Sequence, residues 1–146
     1  MPTSESFLKT LNELQCDISI VTETWFTPTD KVSKCLEDLN EKDGFGCVRW
    51  DRPGERPAGG VAIFYRNSVI QMTWVKIPPS DFELVAALGR RAGQRRKILV
   101  LALYIPPWYD AEMNAKCLDH TNGVLKSLRN KYHDPSGYKK GHKWIR

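Results

Sequence analysis

The feature that most constrains the fold of this chain is an unbroken apolar run, Ile98 to Tyr104, which is followed by Pro106 and Pro107. A short apolar run bounded by strand-breaking residues is typical of a strand buried in a core. Shorter runs of the same kind precede it and predict strands at 17–22, 44–50, 61–65, 70–75 and 82–88. We expect the strand at 70–75 to lie beside the strand at 61–65.

Apolar residues spaced three and four apart predict helices in three other segments, at 6–15, 32–39 and 111–129. The resulting order is helix, strand, helix, several strands and a final helix, with no repeat at a fixed period. This order favours an α/β (α+β) arrangement of packed layers with a largely antiparallel β portion in its middle. Segment 51–60 contains two prolines and three glycines and is predicted to be a loop.

The composition argues against several classes of protein. A length of 146 residues suits one domain with a core, and no stretch approaches the roughly 18 apolar residues that a membrane helix needs. The first residues lack the basic-then-apolar pattern of a secretory signal. Cys16, Cys35, Cys47 and Cys117 match neither a zinc-binding pair nor a disulfide framework. These features favour reduced thiols and an intracellular location, in the nucleus or cytoplasm.

The net charge of +5 is unevenly distributed along the chain. Residues 1–88 carry 9 Lys or Arg against 13 Asp or Glu, whereas residues 89–146 carry 13 Lys or Arg against 4 Asp or Glu. A dense part of this charge falls in one predicted hairpin connection and comprises Arg90, Arg91, Arg95, Arg96 and Lys97. Such a cluster can meet a nucleic-acid backbone, and the alternative is a solvated turn with no partner.

Two residues are candidates for chemistry because each follows or ends a predicted strand. Glu23 comes directly after the strand at 17–22, and magnesium prefers carboxylate oxygens held on rigid elements. Its alternative role is a capping or ion-pairing residue at a strand end. Tyr104 can donate its hydroxyl hydrogen to a phosphate oxygen, or it can simply close the core. The histidines, at positions 120, 133 and 142, lack metal-ligand spacing and are expected at the surface.

Three stretches together carry a resemblance to a known family. Asp17 to Trp25 reads DISIVTETW, Gly59 to Phe64 reads GGVAIF, and Ile98 to Pro107 ends in YIPP. They resemble the D-I-x-x-x-T-E-T-W, G-G-V-A-I and Y-x-P-P stretches of the endonuclease domain that accompanies reverse transcriptase in non-LTR (LINE-type) retrotransposons. This domain belongs to the endonuclease/exonuclease/phosphatase superfamily. The three stretches occur in the family's order, and the resemblance covers roughly residues 7–135.

The resemblance implies a fold and a reaction. The fold is a four-layer α/β sandwich of the DNase I-like type, present here in part. The reaction is magnesium-dependent hydrolysis of a phosphodiester bond, which nicks DNA, with no small-molecule cofactor and no membrane partner. The resemblance implies that Glu23 is the metal ligand and that Tyr104 lines the phosphate site. In this mechanism a water molecule activated by an Asp/His pair attacks phosphorus.

The departures from the family pattern lead to a further expectation. The family's asparagine before the first helix has no counterpart here, and neither does the G-D-F-N strand or the final Asp-His pair. We therefore expect a partial domain at 1–135 and a basic, divergent, unstructured tail at 136–146. A metal site reduced to one carboxylate is expected to bind magnesium poorly. No residue can be assigned as the general base, so this chain alone is expected to have little activity unless another chain completes it.

Alternative interpretations remain open from the sequence. One is a non-catalytic remnant that binds nucleic acid through its basic hairpin and tail, and another is an inert gene fragment that does not fold alone. A third is a phosphatase or sphingomyelinase relative within the same superfamily. The stretches at 22–25 and 104–107 point instead to the retrotransposon branch.

Overall fold

The computed structural model describes residues 4–27, 30–54 and 56–132, so the prediction for a tail at 136–146 lies outside the described residues. The elements are α1 (Ser4–Leu14), β1 (Ile18–Thr22), α2 (Asp30–Asp43), β2 (Phe45–Trp50), β3 (Val61–Arg66), β4 (Ile70–Val75), β5 (Glu83–Arg91), β6 (Lys97–Tyr104) and α3 (Ala111–Lys131). Each predicted helix and strand is present. Between β2 and β3, the described residues 51–54 and 56–60 form no regular element.

The strands form two antiparallel three-stranded sheets that pack face to face. The first sheet has the order β1-β3-β2 and the second has the order β4-β5-β6, so β3 and β5 are the central strands. Side chains alternate between the two faces of a strand. On β3, Val61 and Ile63 therefore enter the core between the sheets, whereas Ala62 and Phe64 pack against α1 and α2.

The second sheet repeats this arrangement on the other side of the molecule. On β5, Val85 and Ala87 enter the core between the sheets, and Leu84 and Ala86 pack against the buried face of α3. The layers are thus α1 with α2, the first sheet, the second sheet, and α3. This arrangement confirms the predicted α/β (α+β) class and the predicted four layers.

One predicted pairing is wrong. β4 does not lie beside β3; it pairs with β5, with Ile70 opposite Arg91 and Val75 opposite Ala86. The reason is that β1 and β2 already occupy both edges of β3, so no hydrogen-bonding edge of β3 is left. The chain instead crosses at the 67–69 turn from the first sheet to the second.

Other features of the described residues bear on the sequence predictions. None of the four cysteines forms a disulfide, and no helix within the described ranges is long and apolar enough to cross a membrane. His120 departs from the expected surface position because it is partly buried, with its ring centroid 5.5 Å from that of Phe82. The loop that carries Phe82 covers this face of α3, which periodicity alone did not predict.

We predict that the core between the sheets supplies much of the stability. Ile63→Ala removes a side chain with 0% exposure and should lower the free energy of unfolding by about 2–5 kcal/mol, through reduced burial and the cavity left behind. The matched control is Ile20→Ala, because Ile20 lies opposite Ile63 in the sheet but is 50% exposed. Ile20→Ala should lower the free energy of unfolding by about 1 kcal/mol or less. Urea unfolding measures both, and equal decreases would contradict this assignment of the core.

Candidate functional site

Glu23 leaves the first sheet through an uncommon backbone conformation. Its φ is 57°, and the φ of Trp25 is 56°, values that few residues other than glycine adopt. Two hydrogen bonds hold this turn, since Glu23 N donates to Gly60 O at 2.9 Å and Trp25 N donates to Gly59 O at 2.8 Å. The two glycines just before β3 therefore fix the backbone from which the Glu23 side chain extends.

Glu23 and Tyr104 meet although they lie 81 positions apart in the chain. The Tyr104 hydroxyl donates to Glu23 Oε1, and the Trp25 indole N–H donates to Glu23 Oε2 at 2.8 Å. The bond from Tyr104, followed by the one from Trp25, lowers the pKa of the Glu23 carboxyl. The same bond raises the pKa of Tyr104 to about 12. At neutral pH this Glu23–Tyr104 centre thus holds an ionised carboxylate beside a neutral phenol that can donate a hydrogen bond.

A second carboxylate, Glu83, lies beside this centre and is buried. It is only 3% exposed and stands opposite Tyr104 in the β5–β6 ladder. Its Oε2 accepts from an Arg52 guanidinium nitrogen at 2.6 Å, and its Oε1 accepts from Gly60 N at 2.7 Å. The bond to Glu83 raises the pKa of Arg52, which stays charged. Glu83 therefore ties the 51–60 loop to the second sheet.

Two glycines make this close approach possible. A Cβ atom at Gly59 would overlap the Arg52 guanidinium and the Glu83 carboxylate, and one at Gly60 would overlap the Thr24 hydroxyl. Both glycines also have positive φ, at 57° and 92°. The predicted loop thus needs glycine here for its contacts as well as for its backbone conformation.

Two exposed tryptophans border the centre. Trp25 is 45% exposed, and Trp108, in the turn after β6, is 64% exposed. The Arg52 guanidinium carbon lies 5.1 Å from the centre of the Trp108 ring, within the range of a cation–π contact. The charge of Glu23 also contributes to the raised pKa of Arg52. The site therefore presents a carboxylate, a phenol, a guanidinium and two indole rings together.

The structure places the predicted nucleic-acid-binding residues at the far end of the second sheet. Arg90 and Arg91 end β5, Lys97 begins β6, and Arg95 and Arg96 lie between them, all five exposed. Lys97 and Tyr104 stand at opposite ends of β6, which separates them by about 23 Å at the usual rise per strand residue. The structure thus brings Glu23 and Tyr104 together, but it does not bring the basic residues to them.

The donor set can be compared with what a metal ion needs. No group of three or more His, Cys, Asp or Glu side chains that could hold a metal occurs in the part of the chain that the structure describes. Glu23 fits as a single ligand, because each of its oxygens accepts one hydrogen bond and keeps a second lone pair. Magnesium commonly takes only one or two protein carboxylates and completes its shell with water and substrate phosphate.

Arg49 on β2 and Asp51 just after it form another ion pair, joined at 3.1 Å, and both side chains are partly buried. Arg49 Nη1 and Asp51 Oδ1 have no hydrogen-bond partner among the described residues. Burial raises the pKa of Asp51, and the Arg49 charge opposes that shift. This pair belongs to the β2 end of the first sheet and is not among the groups that contact Glu23.

Sequence reasoning missed three residues of the site: Arg52, Glu83 and Trp108. Glu83 had a detectable signal, since a glutamate stands at the start of an otherwise apolar strand where a buried charge needs a partner. Arg52 and Trp108 had no such signal, because both lie in segments without periodicity. Only the folded chain brings these segments together.

Similarity to known proteins is found for this chain at the level of solved structures. No protein-family model and no curated protein matches it. Solved structures do match. One is ANGEL2, a 2′,3′-cyclic phosphatase in complex with adenosine-2′,3′-vanadate, at 17% identity and a TM-score of 0.64, covering 91% of this chain and 40% of that chain. Another is the human Nocturnin catalytic domain with bound sulfate, at 12% identity and a TM-score of 0.56, covering 88% of this chain and 51% of that chain.

A third match is D. rerio TDP2 complexed with a single-strand DNA product, at 13% identity and a TM-score of 0.53. It covers 90% of this chain and 48% of that chain. The fold is DNase I-like. This agrees with the endonuclease/exonuclease/phosphatase fold expected from the sequence, and the chain spans about half or less of the length of each of these three structures.

We predict that the buried carboxylate stabilises this DNase I-like fold. Glu83→Gln removes the negative charge that pairs with Arg52. It also replaces one acceptor oxygen by an NH2 group, which would face the N–H donors of Arg52 or Gly60. The free energy of unfolding should therefore fall by about 3 kcal/mol. The control is Glu112→Gln, which breaks an exposed pair with Lys116 and should cost less than about 0.5 kcal/mol. Denaturant unfolding distinguishes them, and similar decreases would show that Glu83 contributes no more than a surface pair.

We also predict that Tyr104 sets the ionisation of Glu23. In a pH titration followed by NMR, Tyr104→Phe should return the pKa of Glu23 upwards towards its ordinary value, because the largest cause of the lowering is removed. A carboxyl with a lowered pKa stabilises the fold above its unfolded pKa, and this stabilisation disappears as pH falls through the folded value. In Tyr104→Phe, the free energy of unfolding should therefore decrease less as the pH is lowered into the acid range. Tyr109→Phe is the control, and an unchanged Glu23 pKa in Tyr104→Phe would refute the assignment.

Proposed function

We propose that this chain supplies part of the active site of a metal-dependent phosphodiesterase that cuts nucleic acid, of the type found in LINE-type retrotransposons. The observation that carries the proposal is the contact between Glu23 and Tyr104 at one end of a DNase I-like sandwich. An ionised carboxylate beside a neutral hydroxyl donor provides one ligand for a hard cation and one donor for a phosphate oxygen.

The roles of the two residues follow from their ionisation. Glu23 would hold magnesium through the lone pairs that Tyr104 and Trp25 leave free. Tyr104, whose pKa is raised to about 12, keeps its proton at neutral pH and can turn it towards a phosphate oxygen. When bound, magnesium would stabilise the charge that develops on the phosphate and the leaving oxygen.

The retrotransposon assignment is the finer part of the proposal. Its support is that two of the three matching stretches border the same centre: Glu23 and Trp25 belong to one, and Tyr104 belongs to another. The third stretch contributes Gly59 and Gly60, whose carbonyls hold the turn at Glu23. The three resemblances thus fall on residues that contact one another.

We also propose that another polypeptide segment completes the site. β1 and β6 are edge strands of the two sheets and contact each other across the sandwich. Ile20 on β1 is 50% exposed and Ile98 on β6 is 41% exposed. An apolar strand edge of this kind favours pairing with further strands. The added segment would bring the general base, whose absence typically slows a reaction by about 10²- to 10⁴-fold.

The proposal is tested by plasmid nicking with magnesium or with EDTA. We expect the chain alone to nick slowly, and we expect Glu23→Gln and Tyr104→Phe to remove whatever nicking is seen. Glu41→Gln, an exposed change on α2, is the matched control and should have no effect. Rapid nicking that survives Glu23→Gln would refute the assigned site.

A second readout does not depend on turnover. Magnesium should shift the NMR signal of the Glu23 side-chain carboxyl and leave that of Glu41 unchanged, even where cutting is too slow to detect. If millimolar magnesium leaves the Glu23 signal unmoved, Glu23 is not a metal ligand in this chain.

A second candidate function is nucleic-acid binding without cleavage, favoured by the exposure of all five basic residues at the β5–β6 turn. Changing Arg95 and Arg96 together to glutamine should make the slope of log affinity against log salt for duplex DNA less negative, by about 0.9 for each phosphate that the protein no longer neutralises. Lys126→Gln on α3 is the control. An unchanged slope would leave this turn as a solvated surface.

A further inference from the structure

We propose that Trp108, held by Arg52, is a stacking platform for an unpaired nucleobase next to the Glu23–Tyr104 centre. The inference rests on the proposed function and deepens it, because it defines the substrate as a single-stranded or locally unpaired strand. The ligand chemistry is a base with a free π-face attached to a phosphodiester.

The first observation is the exposure of Trp108. The residue is 64% exposed, the largest value among the exposed large hydrophobic residues in the described part of the chain. Large aromatic side chains normally bury most of their area, so an exposed indole beside a cluster of charged groups suits a ligand with an aromatic face.

The second observation is that Trp108 is positioned rather than free. Arg52 lies 5.1 Å from the ring centre, and Arg52 is itself fixed by a 2.6 Å bond to the buried Glu83. Glu83 also binds Gly60 N, and Gly60 O accepts from Glu23 N. This short series of contacts fixes the Trp108 ring relative to Glu23. A ring that is already held in place loses less conformational entropy when a base stacks on it.

The third observation is the charge around the ring. The side chain of Arg52 is 26% exposed, and the charge of Glu23 contributes to its raised pKa. The guanidinium carbon lies over the Trp108 ring, and the exposed part of the guanidinium can face a phosphate at Tyr104. Trp25 provides a second exposed ring on Glu23 itself, 45% exposed. Trp25 and Tyr104 bind the same Glu23 carboxylate, and Trp108 lies over the guanidinium of Arg52.

The arrangement favours an unpaired base over a paired one. In a duplex both faces of a base are covered by its neighbours, so an exposed ring can stack only on a base that has left the helix or was never paired. Stacking on one aromatic side chain typically changes affinity by roughly 5- to 150-fold.

The test uses the whole chain in EDTA, so that binding is measured without cleavage. Two probes of about eight nucleotides, the size of a short single-strand site, are compared by fluorescence anisotropy. One is oligothymidylate, and the other is an abasic phosphodiester of the same length and charge. Oligouridylate, run in parallel, distinguishes RNA from DNA as the source of the base.

We expect the wild type to prefer oligothymidylate over the abasic probe by roughly 5-fold or more. Trp108→Ala should remove that preference without changing abasic binding or the salt slope, and Trp108→Phe should keep most of it. Trp74→Ala is the matched control, since Trp74 is 59% exposed and lies on β4, the opposite edge of the second sheet from β6. Thermal melts confirm that the variants fold.

Several results would overturn the inference. Equal wild-type affinity for the two probes would do so, as would undetectable oligothymidylate binding at millimolar probe. The inference would also be overturned if Trp74→Ala reduced the preference for oligothymidylate as much as Trp108→Ala does. It would likewise be overturned if Trp108→Ala lowered the affinity for both probes equally. Failure of the proposed function shows separately, as nicking or magnesium binding that does not depend on Glu23.

Discussion

The organisation of the candidate site depends on one buried carboxylate. A charged group at 3% exposure is strongly unfavourable unless it is fully paired, and Glu83 is paired by the Arg52 guanidinium and the Gly60 backbone N–H. Because Glu83 belongs to β5 and both partners belong to the 51–60 loop, the bonds join the second sheet to a loop of the first. Gly60 in turn holds the backbone of Glu23.

These bonds between β5 and the 51–60 loop explain how residues in loops can be held in fixed positions at the candidate site. Residues that act on a ligand must be held by rigid elements, and sites built on strand ends are better fixed than sites built on long loops. Glu23 directly follows β1, Tyr104 ends β6, and Glu83 begins β5. The three ends meet at the same side of the sandwich, which leaves the basic turn at 90–97 to face away from them.

Much of the fold could be predicted from the sequence because its central strands are buried on both faces. Val61 to Phe64 and Leu84 to Ala87 read as continuous apolar runs, which is what a strand covered by a sheet on one side and helices on the other requires. The position of β4 could not be predicted in this way. An apolar run indicates burial, but it does not say which neighbour supplies the hydrogen bonds.

For the site, the sequence by itself determined that Glu23 and Tyr104 would stand at strand ends, because strand length and the following breakers are local properties. The sequence also placed two glycines before β3, but only the structure gives the reason for them, which is positive φ and the close approach of Arg52, Glu83 and Thr24. Only the tertiary structure decided that Glu83 pairs with Arg52 across 31 positions and that Trp108 lies over the same guanidinium. Such pairs depend on how two sheets pack, and no local pattern of residues encodes that distance.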